Sequence, residues 1–449
     1  MAQAGTHPSF HPSRYLPIED YGLIGDLHTV ALVGTNGSID WCCLPRFDSP
    51  SVFGALLDAD KAGFFRIAPT DMQRVKSQQL YLPETNILLT RFLSVDGVAE
   101  LTDFLPIKAV GTAEHDHQVI RSVAVVHGSL SLTLMCRPAF NYARDSHQVE
   151  ISKQGATFQH ASFQLTLASP LQLEADGRGG VQATFTLHRG ESMHFLLEST
   201  KESKPVPQPL SEEAYQRAFH ETSHYWHAWL SQCQYQGRWR ETVQRSALVL
   251  KLLTYAPTGA IVAAPTTSLP ETVGGARNWD YRYTWIRDTS FTLDSLLTLG
   301  LTQEAEAFMG WLDARCHELK ENGSLQPMYG IGGEHELSEV TLDHLEGYRH
   351  SQPVRIGNGA YTQKQLDIYG EMMDAIHIYN RYEAITYDLW REVRRLLNWL
   401  EQHWQEPDEG IWEVRGGPKL FVHSRLMSWV AFDRAIRVTR NRGWPAPTE

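Results

Sequence analysis

The chain has 449 residues, 42% hydrophobic and 20% charged, with 52 acidic against 40 basic residues and a formal net charge of −12. That length exceeds one ordinary core and predicts two or three domains, which excludes a peptide hormone or a small binding module. The acidic balance argues against a nucleic-acid partner, and no stretch approaches the roughly 18 uninterrupted apolar residues of a membrane span.

Residues 1–10 (MAQAGTHPSF) have neither a basic n-region nor an apolar h-region, so the expected location is cytoplasmic. The next two hundred residues read as β. The runs 119–126 (VIRSVAVV) and 131–136 (SLTLMC) flank His127-Gly128, a hairpin signature, and 181–187 and 194–197 repeat the pattern around Arg189-Gly190. Such runs with Gly turns predict an antiparallel sandwich. The segment 201–210 (KESKPVPQPL) breaks all periodicity, and the domain boundary is placed there. The domains expected are 1–205 (β-sandwich), 206–235 (linker and connecting helix) and 236–449 (helical). Tyr215, Phe219, Trp226 and Leu230 share one helical face and predict the connecting helix.

Six further helices are expected near 239–255, 288–299, 303–319, 363–379, 384–404 and 424–440. The links between them alternate between short and long. If short links join antiparallel neighbours, the long segments 257–286, 321–362 and 405–423 emerge at one mouth.

Those segments carry the polar and aromatic residues that could read a sugar. The first (PTTSLPETVGGARNWDYRYTWIRD) concentrates Trp279, Tyr281, Tyr283 and Trp285 with Arg287 and Asp288: flat faces for stacking, a guanidinium and a carboxylate for hydroxyls. Alone, Asp288 also reads as a helix N-cap. The second offers Arg349, Arg355, Asn358, Gln365 and Asp367; its RIGNG lacks the strand and Gly-Lys-Ser/Thr of a phosphate loop. In the third, Glu413 follows Trp412, whose indole is expected to desolvate the carboxyl and favour a protonated general acid.

Competing motifs are weaker. His224 and His227 lack a third ligand, and Glu334, Glu336 and Glu339 read as a solvated loop, so no metal and no cofactor are expected. The five cysteines (Cys42, Cys43, Cys136, Cys233, Cys316) have no C-x-x-C spacing, which predicts reduced thiols.

At three long stretches the chain resembles glycoside hydrolase family 15, in its bacterial glucoamylase and trehalase-like branch: NWDYRYTWIRD, GYRHSQPVRIGNGAYTQKQLDIYGE and GIWEVRGGPKLFVHSRLMSWVAFDRA. The opening YGLIGDLHTVALVGTNGSIDWCCLPRFDSPSVFGALLD is similar to that branch's N-terminal domain. The resemblance implies an α+β multidomain chain: an N-terminal antiparallel β-sandwich, then an (α/α)6 toroid. It also implies inverting hydrolysis of an α-glucoside at its non-reducing glucose.

It further implies that Trp285, Arg287 and Asp288 grip that glucose, that Tyr281 stacks near the reacting carbon, and that Glu413 is the general acid with Trp412 beside it. Tyr348, Arg349 and Arg355 become further sugar contacts. An (α/α)6 toroid has twelve helices, and only about the first six are counted here. The expectation is therefore a C-terminally truncated chain without the family's general base, catalytically inactive as it stands, whose open inner face would recruit a homo-oligomer or a completing chain. The substrate reads as trehalose or a maltodextrin, with the opening stretch favouring trehalose. The alternatives are an inverting disaccharide phosphorylase and a non-catalytic carbohydrate-binding fragment.

Overall fold

The structure, a computed structural model, describes residues 15–107, 117–161, 163–200, 204–318 and 324–444. Its first half is built from antiparallel strands: β1 (Tyr21–Gly25), β2 (Val30–Gly34), β3 (Ser38–Cys43), β4 (Ser51–Phe53), β5 (Phe64–Pro69), β6 (Lys76–Tyr81), β7 (Leu88–Leu93), β8 (Gly97–Phe104) and β9 (His117–Arg137). A single turn with positive φ at Asn141 and Tyr142, α1 (Phe140–Ala143), precedes β10 (Gln148–Ser152), β11 (Gly155–His160) and β12 (Phe163–Ala168). The last three are β13 (Glu174–Ala175), β14 (Val181–His188) and β15 (Ser192–Thr200).

Strand β9, 21 residues long, belongs to two layers. Its first half pairs with β8 and β15, and its second half with β5 and β14. Side chains from both layers, among them Ile39, Phe65, Phe92, Leu101, Val123 and Phe158, form one buried cluster.

The expected hairpin at His127-Gly128 is therefore corrected to a bend inside one strand. Gly97 pairs with Gly128 and Val98 with His127, but Ala99 pairs with Val125, so Val126 is an extra residue in a β-bulge. Gly128 has φ +68, and a Cβ there would meet Asp96 O at 2.0 Å. The Arg189-Gly190 segment is likewise a corner rather than a hairpin: β14 and β15 pair in succession along β9, and Gly190 N donates to Val125 O at 2.8 Å.

The helices are α2 (Glu212–Leu230), α3 (Arg240–Leu252), α4 (Ile286–Thr298), α5 (Gln303–Glu318), α6 (Ile368–Tyr379), α7 (Tyr387–His403) and α8 (Val422–Arg442). The Ser211 hydroxyl caps α2 by accepting from Ala214 N, and the Thr386 hydroxyl caps α7 by accepting from Leu389 N. Helix α6 starts five residues later than its periodicity predicts. Residues 363–367 run outside the helix because their backbone serves the loops: Lys364 N donates to Glu409 Oε2 and Leu366 N to Asp408 Oδ2, each at 2.9 Å.

Helix α6 packs between α4 and α8, while α5 and α7 pair behind them. Leu389, Trp390, Val393, Leu396, Leu397 and Leu400 form the apolar stripe by which α7 joins the helical core. The α+β composition, with an antiparallel N-terminal half and a helical C-terminal half, agrees with the expectation. No helix among the described residues is long and apolar enough to cross a membrane.

Candidate active site

A fully buried ion pair holds the mouth together. Asp280 Oδ1 accepts from Arg282 N and Nε at 3.1 and 2.9 Å, and Oδ2 accepts from Arg282 Nη2 at 2.6 Å and from Gly357 N at 3.1 Å. Arg282 Nη1 reaches Ser49 O at 2.9 Å, so one pair ties the first loop to the second loop and to the β half. Burial disfavours the charge on Arg282, but the adjacent Asp280 carboxylate outweighs it and holds the guanidinium well above its ordinary pKa. A second link is Trp41 Nε1, which donates to Pro265 O at 2.8 Å.

The third loop closes on itself through paired backbone hydrogen bonds between Asp408 and Lys419, at 2.9 and 2.7 Å. Inside it, Glu413 N donates to Gly410 O at 3.0 Å, and Glu413 has φ +52. A non-glycine residue in this left-handed region is strained, a cost of order 1–3 kcal/mol that concentrates at functional sites.

These loops enclose a cavity of about 760 Å3, a ligand-sized volume. Trp285, 1% exposed, donates its indole Nε1–H to Glu413 Oε1 at 2.7 Å. Arg287 Nη1 donates to Ile411 O at 3.1 Å, Nη2 lies 3.0 Å from Asp288 Oδ2, and Nη2 lies 3.7 Å from Glu413 Oε1. Burial works against the charge on Arg287, while Asp288 and Glu413 raise its pKa above the ordinary value. Asp288 is not the N-cap of α4. That position is Trp285, and Asp288 sits in the first turn with its side chain 41% exposed. Tyr281 lines the same cavity, its ring centroid 5.7 Å from that of Trp285.

The remaining sequence-derived residues are placed differently. Trp412 lines the cavity but is 76% exposed; the indole against the Glu413 carboxylate is that of Trp285. The structure does not bring Tyr348 and Arg349 to the cavity. Tyr348 is buried in a cluster with Tyr15, Trp41 and Leu345 and donates its hydroxyl to Leu16 O at 2.8 Å. Arg349 stacks on Tyr348, with its guanidinium carbon 5.2 Å from the ring centroid. Both serve the packing of the second loop on the β half.

Arg355 stands behind the cavity wall. Its guanidinium lies 4.4 Å from the Trp279 ring centroid and that of Arg415 lies 4.0 Å away, and Glu339 pairs with both arginines. Trp279 is thereby held by cations, and sequence reading missed Arg415 because its partner Glu339 is 76 residues distant. Glu271, paired with Arg277 at 2.6 Å, completes one side of the cavity.

Near Arg287, whose charge acts on both carboxyls, the N-terminal turns of α6 and α8 bring Asp367, Glu371 and His423 together. Burial, reinforced by Asp367, pushes the Glu371 carboxyl up to about 8. By contrast, His227 Nε2 lies 3.1 Å from Pro83 O, and Glu334 and Glu339 are paired with Arg46 and Arg415.

Residues 237–448 match the model of glycosyl hydrolases family 15, and residues 10–226 match the trehalase-like N-terminal model. A trehalase of Mycolicibacterium smegmatis is 41% identical over 452 residues, covering 95% of this chain and 67% of its own length. One from Mycobacterium tuberculosis is 39% identical over 468 residues, covering 99% and 68%, and one from Thermoplasma acidophilum is 39% identical over 419 residues, covering 93% and 70%. The chain belongs to glycosyl hydrolase family 15. As a member of the family it is a glycosidase, and it spans about two thirds of the length of these trehalases.

Proposed function

We propose that the protein acts on α,α-trehalose, with Glu413 as the proton donor to the glycosidic oxygen. The observation that carries this reading is the convergence of Trp285, Arg287, Asp288 and Glu413 in one ligand-sized cavity. The similarity to relatives named trehalase supports this choice of substrate.

In this reading one glucose of trehalose enters the cavity with its hydroxyls against the Arg287–Asp288 pair. Asp288 accepts, Arg287 donates, and Tyr281 offers a ring face. Glu413 protonates the leaving oxygen. The Trp285 indole and the Arg287 guanidinium hold its carboxyl group, and the turn that gives Glu413 its positive φ sets that residue in the cavity wall. Inversion requires a second carboxyl roughly 6.5–9.5 Å away with a water between them. The cavity's other carboxylates are Asp288, held by Arg287, and Glu271, held by Arg277, and we assign the water-activating role to neither. The helical part is read as belonging to an (α/α)6 toroid, with α4, α6 and α8 inside and α5 and α7 outside.

Calorimetric titration of the protein with trehalose and with maltotriose tests the reading. Saturable trehalose binding, lost in Asp288→Ala, is expected; binding of maltotriose in preference to trehalose would overturn the substrate assignment.

A further inference from the structure

We propose that Asp367, Glu371 and His423 form a binding site for a divalent transition-metal cation of the Mn2+ or Zn2+ class, near Arg287. One ligand atom from each residue lies within 4.8 Å of the other two. A point between three such atoms is at most about 2.8 Å from each, close to the roughly 2.0–2.6 Å of metal–oxygen and metal–nitrogen bonds.

The second observation is what these groups lack. Asp367 is 0% exposed and Glu371 2%, and no other residue donates a hydrogen bond to any of their four carboxylate oxygens; His423 Nδ1 makes none either. His423 Nδ1 stands 3.8 Å from Asp367 Oδ2, beyond hydrogen-bond distance. Arg287 does not satisfy them, because its hydrogen bonds go to Asp288 and to Ile411 O. Burying two carboxyl groups without hydrogen-bond partners is unfavourable. Protonating both would leave buried O–H groups equally in need of acceptors. A cation would take one ligand atom from each of the three residues at once.

The donor set selects the class of ion. Ca2+ and Mg2+ take oxygen ligands, whereas a site with an imidazole nitrogen and two carboxylates suits Mn2+ or Zn2+. The scaffold suits such a role as well. Asp367 and Glu371 lie one helical turn apart on one face, and His423 comes from the first turn of α8, so the ion would join two neighbouring helices. Three protein ligands leave positions for water. The inference needs no sugar and stands apart from the substrate assignment.

The test is a titration of the metal-stripped protein with Mn2+, following free Mn2+ by electron paramagnetic resonance, together with Tm measured in Mn2+ and in Zn2+. One saturable Mn2+ per chain and a raised Tm are expected. Asp367→Asn and Glu371→Gln should each weaken Mn2+ binding by at least about tenfold while keeping the metal-free circular dichroism spectrum. Glu336→Gln, at an exposed carboxylate elsewhere, should bind as the wild type does. If a carboxylate variant does not fold, His423→Gln, which leaves both buried carboxylates in place, gives the same reading. Absence of saturable Mn2+ and Zn2+ binding to the folded wild type, or binding that survives all folded variants, would overturn the proposal.

Discussion

Trp285 and Glu413, 128 residues apart in the chain, are joined by a 2.7 Å hydrogen bond from the indole Nε1–H to the carboxylate. The bond spans the first and third loops, and Arg287 lies beside it, 3.7 Å from the same oxygen. The position of the proposed acid is thus set by residues far away in sequence. Its sequence neighbour Trp412 faces solvent.

Replacing the acid keeps the shape and removes the proton. Glu413→Gln is expected to lower the rate of glucose release from trehalose by about 10²–10⁴-fold, the usual contribution of general acid catalysis. Trehalose affinity should change little. A coupled glucose assay and a binding titration on the same preparation check both halves.

Trp285→Phe keeps a ring in the cavity and deletes the N–H. If the indole positions Glu413, the rate falls while circular dichroism and Tm remain near those of the wild type. A drop in Tm equal to that of a core deletion would assign Trp285 to packing instead.

The Asp280–Arg282 pair should behave as a buried salt bridge. Arg282→Met leaves the Asp280 carboxylate buried without its cation and is expected to destabilise the protein by roughly 3–5 kcal/mol. Asp280→Leu together with Arg282→Met should cost less than the two single changes added. Urea unfolding of the three variants provides the comparison.

Gly128→Ala tests the bend in β9. With φ +68 and Asp96 O only 2.0 Å from a Cβ position, the substitution strains the backbone and presses on a carbonyl. A loss of at least about 1–2 kcal/mol is expected from the left-handed conformation alone. Unchanged urea stability would contradict the bulge.

Much of this architecture was legible in the residues, and the failures have a common cause. Helices α3 to α8 follow from 3.6-residue periodicity, because an amphipathic stripe such as that of α7 is a local signal. His127-Gly128 misled because a glycine with positive φ serves a hairpin and a bulge equally. The distinction lies in Ala99 pairing with Val125, a contact between distant segments.

The site divides in the same way. Arg287, Asp288 and Glu413 are marked by dense motifs in long loops, and the structure brings them into one cavity. Tyr348 and Arg349 sit in an equally dense motif, yet their partners Tyr15 and Leu16 lie more than three hundred residues earlier, and burial against the β half removes them from the cavity. Asp367 and Glu371 carried the i, i+4 spacing of two groups on one helical face. Their third member, His423, belongs to another helix, so periodicity could not supply it.

The most direct test of the central claim is calorimetric titration of the wild-type protein and of Arg287→Ala with trehalose. Arg287 is the side chain that joins Asp288 to the Glu413 loop, and charge-assisted hydrogen bonds of about 1.5–3 kcal/mol correspond to a loss of affinity of roughly 10–150-fold. The account predicts saturable binding by the wild type and that loss in the variant. Equal trehalose affinity in the two proteins, or none in a folded wild type, would contradict it.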